Sequence, residues 1–174
     1  MKYFKKLEGE RVYISPMHPD DAEIYAKWLN NPNITKYLTV HNSIVTIEGE
    51  KEYINTFQNK EFNLAIIKKE NDELIGNIGL SHVDYKSGTA TLGIFIGEEE
   101  NLSKGYGSEA IKLLIDYAFK ELRLHNIMLE TYDINERAQK AYQKCGFKEF
   151  GRRHEARFTD GTYHDIILME IINK

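Results

Sequence analysis

One segment constrains this chain more than any other. An apolar run from Leu92 to Ile96 is followed by a polar loop, Glu98 to Lys104, then by Gly105-Tyr106-Gly107-Ser108 and a helical pattern. The order is strand, loop, glycines, helix. Ala110, Leu113, Leu114, Tyr117 and Ala118 fall on one face, and Ile111, Ile115 and Leu122 widen it, so a helix from Ser108 to Leu122 is expected to pack on a sheet. Gly105 and Gly107 let the backbone N–H groups of Ser103 to Ser108 converge without Cβ interference, and the positive end of the following helix points at the same place. A phosphate or pyrophosphate fits such a nest, with Lys104 as a cation beside it. Two other readings stand next to this one. The glycines can simply shape a tight turn. Alternatively, Gly105 to Ala110 satisfies G-x-G-x-x-G/A, with Glu130 downstream as a ribose-binding acid. Against the dinucleotide reading stand the long Glu98 to Lys104 loop, the strands upstream and the short length of chain downstream. No G-x-x-x-x-G-K-[ST] occurs, which excludes a Walker A loop.

The surrounding pattern predicts the architecture. Arg11 to Pro16 alternates as a strand, and Pro19-Asp20-Asp21 opens a helix carrying Ala22, Tyr25, Ala26, Trp28 and Leu29 that breaks at Asn30-Asn31-Pro32. A polar stretch from Asn33 to Ser43 leads to a second helix from Thr46 to about Asn59, anchored by Tyr53, Ile54 and Phe57. This helical pair is the expected lid over the substrate. Phe62 to Lys68, Leu74 to Val83 and Thr89 to Gly97 read as an antiparallel meander. Then come the Ser108 helix, a strand Ile127 to Tyr132, a helix Asn135 to Lys144, and strands Phe147 to Phe158 and Tyr163 to Ile172 joined at Asp160-Gly161. The expected fold is α+β, with a central mixed and mostly antiparallel sheet of about seven strands flanked by about four helices.

Length and charge narrow the function classes. A chain of 174 residues suits one domain, 1–174, and its 41% hydrophobic and 29% charged residues are ordinary for a globular protein. The formal charge of −4 argues against nucleic acid as a partner and favours cationic small molecules or peptide amines. With Cys145 as the one cysteine, neither an intrachain disulfide nor a Cys-based zinc site is expected, and a reducing cytoplasm is the expected compartment. The start lacks an apolar signal region and no run of about 18 apolar residues occurs, so neither secretion nor a membrane span is expected.

A second segment runs from Asn135 to Phe147. Asn135 reads as an N-cap and Gly146 as a helix stop, with Ala138, Ala141, Tyr142 and Cys145 sharing a face. One phenol thus stands among small residues that leave room beside it. Alone, it also reads as a core tyrosine bonded to backbone. Together the two segments resemble the GNAT superfamily of acyl-CoA-dependent N-acetyltransferases. The family's loop R/Q-x-x-G-x-G/A is similar to Leu102-Ser103-Lys104-Gly105-Tyr106-Gly107, and its N-x-x-A-x-x-x-Y-x-x-x-G-F element matches Asn135, Ala138, Tyr142, Gly146 and Phe147. Leu102 stands where the family often has Arg or Gln. The stretches Trp28-Leu29-Asn30-Asn31-Pro32 and Gly161-Thr162-Tyr163-His164-Asp165 resemble the branch of ribosomal-protein N-terminal and spermidine N-acetyltransferases.

The resemblance implies acetyl-CoA as cosubstrate and direct transfer to a primary amine in a ternary complex. It implies a pyrophosphate on residues Leu102 to Ser108, pantetheine along Ile94 to Ile96, an oxyanion-holding N–H near Phe95 or Ile96, and Asn135, Ala138 and Lys144 along the cofactor. Tyr142 would protonate the leaving thiolate, with Cys145 not a nucleophile. The acceptor is a peptide N-terminus or a small amine such as a polyamine. Dimers are common among relatives, so a homodimer is one assembly the resemblance allows, and the sequence leaves the oligomeric state open. A non-catalytic acyl-CoA-binding module is the alternative. No single residue is marked as the base: His82, Asp84, Glu130 and Asp133 are candidates at strand ends, each reading more simply as a solvated surface residue. Glu98-Glu99-Glu100 reads either as a solvated loop or as a carboxylate rim that steers cations.

Overall fold

The computed structural model describes residues 2–57 and 62–174. Strands β1 (Leu7–Glu8) and β2 (Val12–Pro16) precede helices α1 (Ala22–Leu29), α2 (Pro32–Thr35) and α3 (Ile47–Phe57). The meander β3 (Phe62–Lys68), β4 (Leu74–Asp84) and β5 (Thr89–Ile96) follows. The second half runs α4 (Tyr106–Lys120), β6 (Asn126–Tyr132), α5 (Glu136–Lys144), β7 (Lys148–Thr159) and β8 (Thr162–Ile172). The described residues thus form an α+β fold around one eight-stranded sheet, ordered β1-β2-β3-β4-β5-β6-β8-β7. All neighbouring pairs are antiparallel except β5 with β6.

Alternation along the strands sends side chains into two cores. Val12 and Ile14 of β2 join a core with Ala110, Ile111, Leu114, Ile115 and Ala118 of α4, while Tyr13 between them faces Ala22, Tyr25 and Trp28 of α1 and Ile54 of α3. The sheet is therefore covered by α4 and α5 on one face and by α1 and α3 on the other. Trp28 and Tyr25 meet edge to face at 5.4 Å, and both lie edge to face against Phe95 of β5. Removing such side chains from water contributes about 1.5–3 kcal/mol each, which sets the face that each helix presents.

Several boundaries differ from the pattern-based expectation. The sheet gains the two-residue β1, too short for alternation to be legible. The Asn33 to Ser43 stretch contains α2, because the Asn31 side chain accepts from the Asn33 N–H and Pro32 occupies the first helical position. Helix α4 starts at Tyr106 and not Ser108, since Gly105 takes the left-handed cap position at φ 86° and the next residue is already helical. Helix α3 is described to Phe57, and its expected end near Asn59 lies outside the described residues. The Asp160-Gly161 turn has φ of 49° and 78°, the paired positive values of a tight hairpin turn.

Candidate active site

The site begins with a strand pair that stops early. Thr89, Ala90 and Thr91 of β5 pair with Asn126, Ile127 and Met128 of β6, and there the ladder ends. Beyond it β5 stays paired with β4 through Ile96, and β6 with β8 through Tyr132. The two middle strands therefore diverge, leaving the β6-facing backbone edge of residues 92–96 without a ladder partner. Alternate N–H and C=O groups along that edge are free to meet a ligand.

The glycine loop lies at the end of this gap. Ser103 has φ 59° and Gly105 φ 86°, the left-handed turns that allow successive backbone N–H groups to converge on one point ahead of α4. A Cβ on Gly105 would approach Arg11 Nη2 at 3.0 Å in a conformation side chains rarely adopt. At Gly107 a Cβ would make only ordinary contacts, 3.7 Å to Ile94 and 3.8 Å to Ile96. Arg11 braces the loop from outside: Nη1 donates to the Lys104 carbonyl at 2.8 Å and Nε to Glu109 at 3.1 Å.

Across the gap stands α5. The Asn135 side chain accepts from the Ala138 N–H at 3.3 Å, as its cap position requires. Tyr142 packs edge to face on Phe147 at 6.1 Å, and burial pushes its phenol up to about 12. Its hydroxyl has no hydrogen-bond partner among the described residues. Burial also raises the Cys145 thiol, which lies 3.5 Å from the Ser108 carbonyl oxygen.

These parts border one cavity of about 810 Å³. Of the residues expected at the site, Phe95, Ile96, Leu102, Ser103, Gly105, Gly107, Ser108, Asn135, Ala138 and Tyr142 line it. Three do not. Lys104 is exposed, Tyr106 stacks under Arg11 and Lys68 at 5.2 and 5.7 Å, and Lys144 is exposed at the far end of α5. A pocket of about 510 Å³ adjoins the loop, with Lys36 and Arg137 as its cations.

Among the base candidates, Glu130 lines the cavity and His82, Asp84 and Asp133 do not. Asp84 is held below its usual range by the Ser87 hydroxyl and the N–H groups of Ser87 and Lys86, which makes it a turn residue. Asp133 faces His164 at 3.4 Å. Glu98 accepts from Trp28 Nε1 at 2.8 Å and from Lys27 at 3.1 Å, so it fixes α1 to the loop after β5. Sequence reasoning missed Glu50, Asn63 and Asn77, which line the cavity from α3, β3 and β4. For the two asparagines a signal existed, since each interrupts an apolar strand on the face where a core residue is expected. For Glu50 there was none.

The comparisons agree with this geometry. A model of the acetyltransferase (GNAT) domain matches residues 11–148, and the chain belongs to that family. It is 30% identical over 143 residues to the spermidine N(1)-acetyltransferase of Vibrio cholerae, covering 82% of each chain. It is 26% identical to the uncharacterized N-acetyltransferase p20 of Bacillus licheniformis over 97% of this chain and 96% of that one. Among solved structures, the spermidine N-acetyltransferase from Vibrio cholerae in complex with CoA and spermine superposes with a TM-score of 0.85 at 27% identity, covering 94% of this chain and 96% of that chain. The expected fold is therefore the observed one, and the protein is an acyltransferase of the N-acetyltransferase class.

Proposed function

We propose that this chain, as one domain spanning residues 1–174, transfers the acetyl group of acetyl-CoA to a primary amine by direct attack within a ternary complex. The observation that carries the reading is the unpaired edge of β5 beyond Thr91, opening between the glycine loop and Tyr142. Acetyl-CoA suits the three parts in order. Its pyrophosphate suits the N–H groups of Ser103 to Ser108, the Leu102 N–H being taken by the Glu99 carbonyl at 3.0 Å, and its amide-bearing pantetheine suits the free strand edge.

The chain's own groups then have defined tasks. A strand N–H near Phe95 or Ile96 polarises the thioester carbonyl and holds the oxyanion that forms as the amine attacks. Asn135 orients the end of the pantetheine arm. Tyr142 gives its proton to the departing thiolate, and the raised phenol keeps that proton available throughout the neutral range. Cys145 stays a protonated, packed thiol outside the reaction. Glu130, at the cavity wall, is the retained base candidate, through water.

The acceptor is a small amine or a protein N-terminus. A polyamine acceptor is favoured by the similarity to a spermidine acetyltransferase and by a carboxyl group inside the cavity. Release of CoA thiol from acetyl-CoA, measured over a panel of spermidine, amino sugars and N-terminal peptides, tests the proposal. Thiol release with at least one amine is expected, and its absence with all of them overturns the reading.

A further inference from the structure

The cavity passes through the sheet. Tyr142 and Ala138 line it from α5, on the α4 side, whereas Tyr25, Glu50 and Tyr53 wall it on the opposite face above Asn63 and Asn77. The two asparagines are already engaged: Asn77 Nδ2 donates to Asn63 Oδ1 at 3.1 Å, and Asn63 Nδ2 to the Tyr53 hydroxyl at 2.9 Å. Glu50 differs from them. It is 6% exposed and lines the cavity, yet its carboxyl has no hydrogen-bond or ion-pair partner among the described residues.

Buried carboxyl groups are ordinarily paired, because nothing else replaces the water they lose. Glu50 is placed one turn before Ile54, the residue that anchors α3 in the core with Tyr25 and Trp28, so packing holds it there. Burial raises its pKa, the direction expected of a carboxyl kept without a countercharge. An incoming cation supplies what is missing.

We propose that Glu50 determines acceptor specificity by binding an ammonium group of the acceptor other than the amine that is acetylated, so that the fitting acceptors are linear diamines and polyamines. The inference rests on the acetyl-transfer reading above. Position is the first reason. The attacked carbonyl belongs at the gap in the plane of the sheet beside Phe95, and Glu50 stands on a helix one layer away on the face opposite Tyr142. The reacting nitrogen cannot occupy both places, but a second nitrogen on the same molecule can. The wall is the second reason. Tyr25, Tyr53 and Phe95 line the same cavity, with Tyr25 against Phe95 at 6.4 Å, and their apolar bodies suit a methylene spacer and their faces tolerate a cation. Selectivity follows from the mismatch. An amine with a neutral tail leaves the buried carboxyl unpaired and forfeits the ion pair, so it is disfavoured against a diamine of equal length.

The test is calorimetric titration of putrescine, spermidine and butylamine into the full-length wild-type protein and into Glu50→Gln and Glu50→Asp, each with CoA bound and unbound, beside thiol-release assays with the same amines. The wild type is expected to bind the diamine more tightly than butylamine. Glu50→Gln, with its melting temperature confirming the fold, should weaken putrescine and spermidine by roughly tenfold or more while butylamine changes less than about threefold. Glu50→Asp keeps the charge and should fall between. Equal binding of putrescine and butylamine by the wild type overturns the proposal, as does undiminished diamine binding by Glu50→Gln. Thiol release that persists unchanged in Glu50→Gln would leave acetyl transfer standing and Glu50 without this role. Glu50-dependent diamine binding with no thiol release would do the reverse.

Discussion

Arg11 and Glu109 lock the two ends of the glycine loop to the start of β2. One Glu109 oxygen accepts from the N–H groups of Arg11 and Val12 at 2.8 and 3.2 Å, the other from Arg11 Nε at 3.1 Å, and Arg11 Nη1 reaches the Lys104 carbonyl at 2.8 Å. A loop proposed to hold several N–H groups on one anion gains from being shaped before the anion arrives.

Arg11→Ala should therefore weaken acetyl-CoA binding without stopping the chemistry. The guanidinium is about half exposed, so the ion pair itself contributes little, and the loss is chiefly of the bond to Lys104. About 1 kcal/mol, or roughly fivefold in the acetyl-CoA KM, is expected, with kcat within about a factor of two. A fall in kcat at unchanged KM would show that Arg11 acts elsewhere.

Glu109 makes a pH prediction. Burial raises its carboxyl, but the N–H groups of Arg11 and Val12 and the guanidinium outweigh that and leave it below the usual range. Such a group stabilises the fold above its unfolded pKa of about 4.3, and the contribution is lost as pH falls through the lower folded value. Between about pH 5 and 3 the melting temperature of Glu109→Gln should fall less steeply than that of the wild type. Parallel curves would refute the linkage.

Tyr142→Phe keeps the ring against Phe147 and removes the hydroxyl proposed as the proton donor. A loss of about 10²- to 10⁴-fold in kcat is expected, with the acetyl-CoA dissociation constant little changed. Because the phenol is pushed up to about 12, any fall of wild-type activity below pH 10 belongs to another group. A variant within about threefold of wild type would make Tyr142 a wall of the channel only.

Gly107→Val tests the nest. The Cβ itself meets ordinary contacts with Ile94 and Ile96, so the fold should survive, while the branched methyls intrude where the N–H groups converge. Acetyl-CoA affinity should fall by roughly tenfold or more, with Gly107→Ala intermediate. Equal affinity in a folded Gly107→Val protein would remove the pyrophosphate from this loop.

Cys145→Ala should lose about 1 kcal/mol of stability from its contact with the Ser108 turn and keep its rate. Loss of activity in a stable variant, with an acetyl-thioester trapped on the wild type, would establish an acyl-enzyme instead.

Much of this was local and therefore legible along the chain. The period of Ala110, Leu114 and Ala118, the capping bond of Asn135 and the turn at Asp160-Gly161 depend on neighbours within a few residues, and each is found where the pattern puts it. The resemblance carried by the glycine loop and the Asn135 to Phe147 element adds the family. The end of the β5 and β6 ladder, the clasp between Arg11 and Glu109 across 98 residues and the placing of Glu50 inside the cavity were decided by the tertiary structure alone. The physical reason is range. Backbone propensity and side-chain period act within a turn or a strand, whereas a strand pair parts, or a carboxyl is buried without a partner, only where helices packed on both faces of the sheet leave no better arrangement.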